Sequence, residues 1–291
     1  MSFSRSDSST AKFSPPQTQR WLIAQPAPVH DFLAAASGLS KEALKDCLEK
    51  GGIWLKRPSQ GERRLRQGKF GLRAGDRLAL YYDARVLAMV VPPAACLCDQ
   101  GRYSVWDKPA FMLSQGSRFG DHCSLLRQVE KTFSGKTIHL VHRLDREAQG
   151  LMLFAHNRQA AAAFSQLFQG RAVEKRYRAR VAGRLAAVGE TMRIDTPLDG
   201  KEALTEVTVL SQDAATSLLD VRIDTGRLHQ IRRHLASLGH PLLGDRRYNR
   251  HCGRQPLQLV AWLLAFTCPF SGEKKRYQLT PPECLSDDLT I

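Results

Sequence analysis

The 291-residue sequence has no apolar run of the roughly 18 residues that a membrane-spanning helix needs. Its first stretch, Met1 to Pro16, is serine-rich and lacks the apolar core of a secretory signal. A cytoplasmic protein without a membrane partner is expected. Cysteines are scattered: of seven, only Cys96 and Cys98 stand close, and no histidine or further cysteine beside them completes a zinc-ligand spacing. Free thiols are therefore expected, with no metal and no cofactor. Clustered carboxylates are missing too, which argues against a metal-dependent nuclease. The largest shortage is of negative charge. Asp and Glu total 28 against 43 Lys and Arg, a formal charge of +15. That surplus points to a polyanionic partner, a nucleic acid or an anionic membrane surface. Hydrophobic residues make up 43% of the chain, enough for a packed core.

Three regions follow from the pattern. Residues 1–24, polar around Pro15-Pro16, read as a flexible tail. Residues 25–85 read as a small unit opening with two helices. Val29, Phe32, Leu33 and Ala36 share one helical face, and Ala43, Leu44, Cys47 and Leu48 another. Ser40 is placed to cap the second helix and Gly51 to stop it. Short strands are expected around Ile53-Trp54-Leu55 and from Leu78 to Tyr82. Between 51 and 77 stand Lys56, Arg57, Arg63, Arg64, Arg66, Lys69, Arg73 and Arg77 against only Glu62 and Asp76, a net of +6. A basic loop of this kind suits backbone phosphates, with a solvated charged loop as the plainer alternative. Residues 90–291 read as an α+β domain of short apolar strands and a few helices. Its clearest helix is capped by Asn157, buries Ala160, Phe164, Leu167 and Phe168, and ends at Gly170. Another spans His229 to Leu238, with Ile231, Leu235 and Leu238 toward the core.

Three segments carry chemistry. In His142-Arg143-Leu144-Asp145-Arg146 a carboxylate is flanked by cations. Such neighbours favour the ionised form that a nucleophile or base needs, although a plain salt-bridged loop has the same pattern. Glu174 to Val181 alternates as a strand, with Arg176, Arg178 and Arg180 on one face and Tyr177, Ala179 and Val181 on the other. A tyrosine there is either core or a rigid ring with one polar tip for a base. In Gly226-Arg227-Leu228-His229-Gln230-Ile231-Arg232, polar groups cluster where a loop enters a helix, a place suited to anions.

Together these segments resemble one family. His142 to Arg146 followed by Gly150-Leu151 resembles the H-R-L-D-R-x-T-S-G-L signature of the RluA-type RNA pseudouridine synthases. Lys175-Arg176-Tyr177 is similar to that family's K-x-Y element. Gly226 to Arg232 with Gly239-His240-Pro241 and Gly244-Asp245 is similar to its G-R-x-H-Q-I-R…GHP…GD block. Asp107-Lys108-Pro109 matches its early D-K-P, and Ala261-Trp262 with Cys268-Pro269 its last strand. The elements keep family order over roughly residues 100–282. The resemblance implies a mixed, mostly antiparallel sheet flanked by helices, and the isomerisation of uridine in structured RNA, ribosomal or transfer, by a monomer without cofactor. It implies Asp145 as the catalytic carboxylate, Tyr177 packing on the base and helping remove the C5 proton, and Arg232 pairing with Asp145. Lys108, Arg143, Arg146, Lys175, Arg227, His229 and Gln230 are the expected RNA contacts of this domain. The N-terminal unit resembles a divergent S4-type RNA-binding module, with Arg63, Arg64 and Arg66 as contacts.

The departures are specific. Ala148-Gln149 replace the family's Thr-Ser, removing two hydroxyls beside Asp145. Ala110 to Gln115 replace its G-L-x-V-H, and Leu259-Val260-Ala261 lack the histidine of its L-H-A. The retained Asp145, Tyr177 and Arg232 predict activity. The altered loop leaves a second reading, an RNA-binding or RNA-chaperone protein that kept the fold without the catalysis.

Overall fold

The computed structural model describes residues 15–253 and 255–286. Most of the expected tail, residues 1–14, lies outside the described residues. The chain divides into two units, one running to Val90 and including Gly116–Cys123, the other holding Val91–Gln115 and everything from Ser124 onward.

The first unit opens with β1 (Gln17–Leu22), β2 (Ala27–Pro28), α1 (Val29–Ser37) and α2 (Lys41–Lys50). It continues through β3 (Ile53–Lys56), β4 (Arg63–Arg64), β5 (Gly71–Leu72), β6 (Arg77–Tyr82) and the one-turn α3 (Ala84–Leu87). The Ser40 side chain accepts from the Ala43 N–H, and Gly51 closes α2 at φ 84°, a conformation that suits glycine. α1 turns slightly from its expected face: Val29, Leu33 and Ser37 are buried, while Ala36 is exposed. Residues 17–22 are a strand and not tail. Each residue of β1 pairs antiparallel with β6, from Gln17 opposite Tyr82 to Leu22 opposite Arg77. This polar, alternating strand acquires its structure from a partner some 60 residues away, which no local pattern announces. Gly116–Cys123, expected in the second domain, packs here instead. Trp54 Nε1 donates to the Arg118 carbonyl at 2.9 Å, Asp121 N to the Lys50 carbonyl at 2.9 Å, and Tyr81 meets Phe119 edge to face.

The second unit is a ten-stranded sheet with helices against it. Its strands are β7 (Ala95–Asp99), β8 (Tyr103–Lys108), β9 (His139–Leu140), β10 (Gln149–Ala155) and β11 (Val173–Ala182). After these come β12 (Thr191–Ile194), β13 (Thr205–Gln212), β14 (Thr216–Ile223), β15 (Leu259–Thr267) and β16 (Lys274–Gln278). The helices are α4 (Leu125–Thr132), α5 (Arg158–Gln169) and α6 (Gln230–Ser237). The main path runs β12-β13-β14-β11-β15-β10-β8-β7, with β16 beside β15 and β9 beside β10. Every pairing is antiparallel except β10 with β15. The mixed, mostly antiparallel sheet expected from the resemblance is present. Asn157 caps α5 by accepting from the Ala160 N–H. Ile231 and Leu235 of α6 are buried, but Leu238, expected inward, is 43% exposed because the helix has ended before it.

The two central strands set the site. β11 alternates as predicted, with Tyr177, Ala179 and Val181 buried in the core beside Val221, Ile231 and Leu235. On its other face Arg176 and Arg178 pair with Asp220, which also accepts from Trp262 Nε1 at 3.0 Å. Cys47, Cys96, Cys98, Cys252, Cys268 and Cys284 are free thiols. Among the described residues no helix is long and apolar enough to cross a membrane.

Candidate active site

Asp145 sits in the loop between β9 and β10, and the residues around it are tied down in turn. His142 stacks on Phe168 of α5 with ring centroids 4.5 Å apart, and its Nε2 accepts the Leu153 N–H at 2.9 Å. Burial pushes the His142 imidazole down to about 3, so it stays neutral and able to accept. The Ser114 hydroxyl donates to the Leu144 carbonyl at 2.6 Å and accepts the Leu144 N–H at 3.0 Å. Lys108 Nζ donates to the Arg146 carbonyl at 3.3 Å. The loop therefore has a fixed point on each side of Asp145. Ala148, where the family carries threonine, is 2% exposed and belongs to the core.

From α6, Arg232 reaches this carboxylate. Its side chain is 4% exposed and stands within ion-pair distance of three acids, Asp145, Asp245 and, at 3.5 Å, Glu147. Nε and Nη2 bind Asp245 in a fork, both at 2.8 Å, and Nη1 donates to Asp145 Oδ2 at 3.2 Å. Asp245 is itself anchored by the N–H groups of Arg247 and Tyr248, at 3.0 and 3.1 Å. Burial works against the charge on Asp245, yet the Arg232 fork holds its carboxyl below the usual range. Arg232 is shifted upward, the same carboxylates outweighing its burial. His229, the residue before α6, has φ 53°. Its Nδ1 lies 2.9 Å from the Tyr248 hydroxyl, and its Nε2 lies 3.8 Å from Asp145 Oδ1. Burial lowers the His229 pKa despite the pull of Asp145.

Asp145, Tyr177 and Arg232 line one cleft of about 620 Å³, with Ile231 and Leu259 among its apolar walls. Burial first, and then the charge of Asp145, push the Tyr177 phenol above its ordinary value. A phenol that keeps its proton can pack on a base and donate a hydrogen bond. Lys175, Arg143, Arg227, His229 and Gln230 border the same cleft.

Several expected RNA contacts are used inside the protein. Lys108 has no exposed surface, and its ammonium is taken by three carbonyls, those of Pro109, Met112 and Arg146. Gln230, 3% exposed, is consumed by Thr225, Arg227 N, Leu204 O and Thr205. In the first unit Arg64 donates to the Gly51 and Ser117 carbonyls and lies over Trp54, and Arg66 binds Asp121 at 2.5 Å. Of the three arginines expected there as contacts, Arg63 is exposed. Arg143 and Arg146 are exposed as anticipated, and Arg227 and Lys175 are half-buried. Asp245 and Ser114 were not among the candidate residues. Asp245 had a signal in the Gly244-Asp245 pair, whereas Ser114 stands in a segment that departs from the family pattern.

Comparison with known proteins gives a consistent result. A family profile described as RNA pseudouridylate synthase matches residues 102–237. An uncharacterized RNA pseudouridine synthase of Aquifex aeolicus is 32% identical over 289 residues, covering 87% of this chain and 89% of the relative. The dual-specificity RNA pseudouridine synthase RluA of Vibrio vulnificus is 34% identical over 163 residues, 49% of this chain and 64% of that one. Among solved structures, human RNA pseudouridylate synthase domain containing 1 shares the fold. It superposes with a TM-score of 0.54 at 23% identity, over 66% of this chain and 86% of that one. Given a relative at 32% identity along nearly the whole of both chains, this chain belongs to the RluA-type RNA pseudouridine synthases, isomerases that convert uridine in RNA to pseudouridine.

Proposed function

We propose that Asp145 is the catalytic carboxylate of this isomerase, that Arg232 holds it in place, and that Tyr177 forms a wall against the target uracil. The observation that carries the reading is the sharing of one buried guanidinium between Asp145 and Asp245. Asp245, fixed by backbone N–H groups, orients Arg232, and Arg232 then presents a directed donor and positive charge to Asp145. The reaction breaks the N1–C1′ bond and rejoins the uracil through C5, so it gains or loses no atoms overall. A stacked base cannot reach a carboxylate that is 18% exposed, so the uridine is flipped from its helix into the cleft. The loss of the Thr-Ser hydroxyls does not favour the inactive reading, because Ser114 and Lys108 supply bonds to the same loop.

The substrate is structured RNA, ribosomal or transfer, and the enzyme acts as a cytoplasmic monomer. The N-terminal unit serves as an S4-like module whose exposed cations meet phosphate. Tritium release from [5-³H]uridine-labelled RNA, prepared from a strain lacking the protein, reads the reaction directly. Asp145→Asn should lower the rate by on the order of 10³-fold or more, as loss of a central catalytic group does. Asp245→Asn should cost about 10²-fold in kcat through a displaced Arg232. Release by Asp145→Asn at the wild-type rate would refute the assignment.

A further inference from the structure

Asp145 stands in a partition. Behind the cleft that holds Tyr177 lies a second one of about 670 Å³, and the two share Arg143, Leu144, Asp145, His229 and Arg232 as a common wall. Both carry cations at their edges, Arg171, Lys175 and Arg227 among those of the first, but the first also has Tyr177, Ile231 and Leu259, an apolar patch for a pyrimidine. The second is edged by Arg143, Arg146, Arg246 and Arg247, all exposed, with Glu147 and the shared Asp145 as its acids.

On the rim of the second cleft stands Phe111. Among the described residues it is the only aromatic among the exposed large apolar side chains, at 42% exposure. Its backbone lies at φ 67°, a left-handed conformation that a bulky side chain rarely adopts. A neighbour holds it there. The fully buried Lys108 ammonium donates to the Pro109 carbonyl at 3.1 Å and to the Met112 carbonyl at 2.9 Å, gripping the chain on both sides of Phe111. Strained backbone that presents an apolar ring to solvent at the edge of a cationic cleft points to a ligand for that ring.

We propose that the second cleft receives the nucleotide adjoining the target uridine, with Phe111 stacking on its base. The four guanidiniums around it meet the phosphate that links the two nucleotides and the phosphates on either side of it. RNA whose uridine occupies the first cleft must carry its backbone past the Asp145 partition, and this is the charged surface on the far side. Base–aromatic stacking tolerates any base, so Phe111 sets affinity and the depth of docking more than sequence. The inference rests on Asp145 being the catalytic centre.

Two substitutions separate stacking from structure. Phe111→Asn removes the ring and tolerates the left-handed backbone, and Phe111→Trp keeps a ring. In the tritium-release assay on RNA from the deletion strain, Phe111→Asn should raise the apparent KM about tenfold, the scale of one missing stack, with kcat within about twofold. Phe111→Trp should stay within about threefold of wild type in KM. Thermal unfolding of Phe111→Asn should occur at the wild-type temperature or above it, because the strain is relieved; a structural ring would give the opposite shift. An unchanged KM in Phe111→Asn overturns the proposal, as does an equal loss in Phe111→Trp. Asp145→Asn runs beside them. If it still releases tritium, the reading beneath the proposal has failed; if it is dead while Phe111→Asn matches wild type, only the second cleft is refuted.

Discussion

Lys108 concentrates the residue-scale physics of the site. A buried ammonium is costly unless its hydrogens are used, and here three carbonyls take them. Burial still draws its pKa down to about 8, against the opposing pull of Asp145, Glu147 and Asp107. The D-K-P resemblance marks the residue but not the direction of its side chain, and here the lysine points inward. The lowered value has two consequences of opposite sign. From about pH 8 to the ordinary lysine range, the unfolded chain keeps a proton that the folded chain has released, so this group makes the fold more stable as pH rises. Over the same interval the neutral amine has two hydrogens for three carbonyls, and the Asp145 loop loses a tie. The kcat of the wild-type enzyme should therefore fall above about pH 8, while its unfolding free energy relative to Lys108→Met climbs. Lys175, also drawn to about 8 by burial, lies in the first cleft, so the alkaline limb should persist in Lys175→Met. A kcat flat from about pH 7 to 10, measured alongside urea unfolding, would contradict this account.

At the scale of elements, the seam between β10 and β15 positions the site. It is the parallel pair of the sheet, and Gly150 lies opposite Ala261 in it. A Cβ on Gly150 would stand 2.3 Å from the Ala261 carbonyl oxygen, and its φ of 122° also disfavours a side chain. β10 continues directly from the Asp145 loop, and β15 pairs with the strand that carries Tyr177, opposite Ala261 itself. Gly150→Ala should therefore cost about 2–4 kcal/mol and lower the melting temperature by roughly 5–15 °C. Activity should drop as the two strands part. Gly61→Ala, with nothing within 4 Å of its added methyl, should melt as wild type does. The glycine was visible in the sequence as part of a motif, but the backbone it must admit was not. The same division holds elsewhere. Helices with local caps, such as the one begun by Asn157, and the alternating β11 were legible because their signals lie within one element. β1 and the 116–123 excursion were not, because they exist through pairing with distant chain. Asp145, Tyr177 and Arg232 came from ordered motifs, whereas the partners that fix them, Asp245 and Ser114, act across 13 and 30 residues of sequence.

For the whole molecule, the +15 charge bears on affinity only where it faces outward. In the N-terminal unit Arg57 binds Asp76, and Arg64 and Arg66 bind Asp121, so three of the eight cations between 51 and 77 are engaged within the fold. Lys56, Arg63, Lys69, Arg73 and Arg77 are exposed. Each phosphate neutralised by such a side chain releases bound counterions, and the logarithm of RNA affinity then falls with the logarithm of salt in proportion. Changing Arg63, Lys69 and Arg73 to glutamine in the full chain should make that slope shallower by about one for each phosphate left without its cation. At saturating RNA the kcat should be unchanged, since none of the three borders the cleft of Asp145. The equivalent change at Arg64 and Arg66 should act differently, lowering the melting temperature of the unit because their partners are Asp121 and main-chain carbonyls. Filter-binding titrations of labelled RNA at several salt concentrations separate the cases. A slope that stays at the wild-type value in the triple variant would make those cations a solvated face and leave the RNA affinity to the catalytic unit.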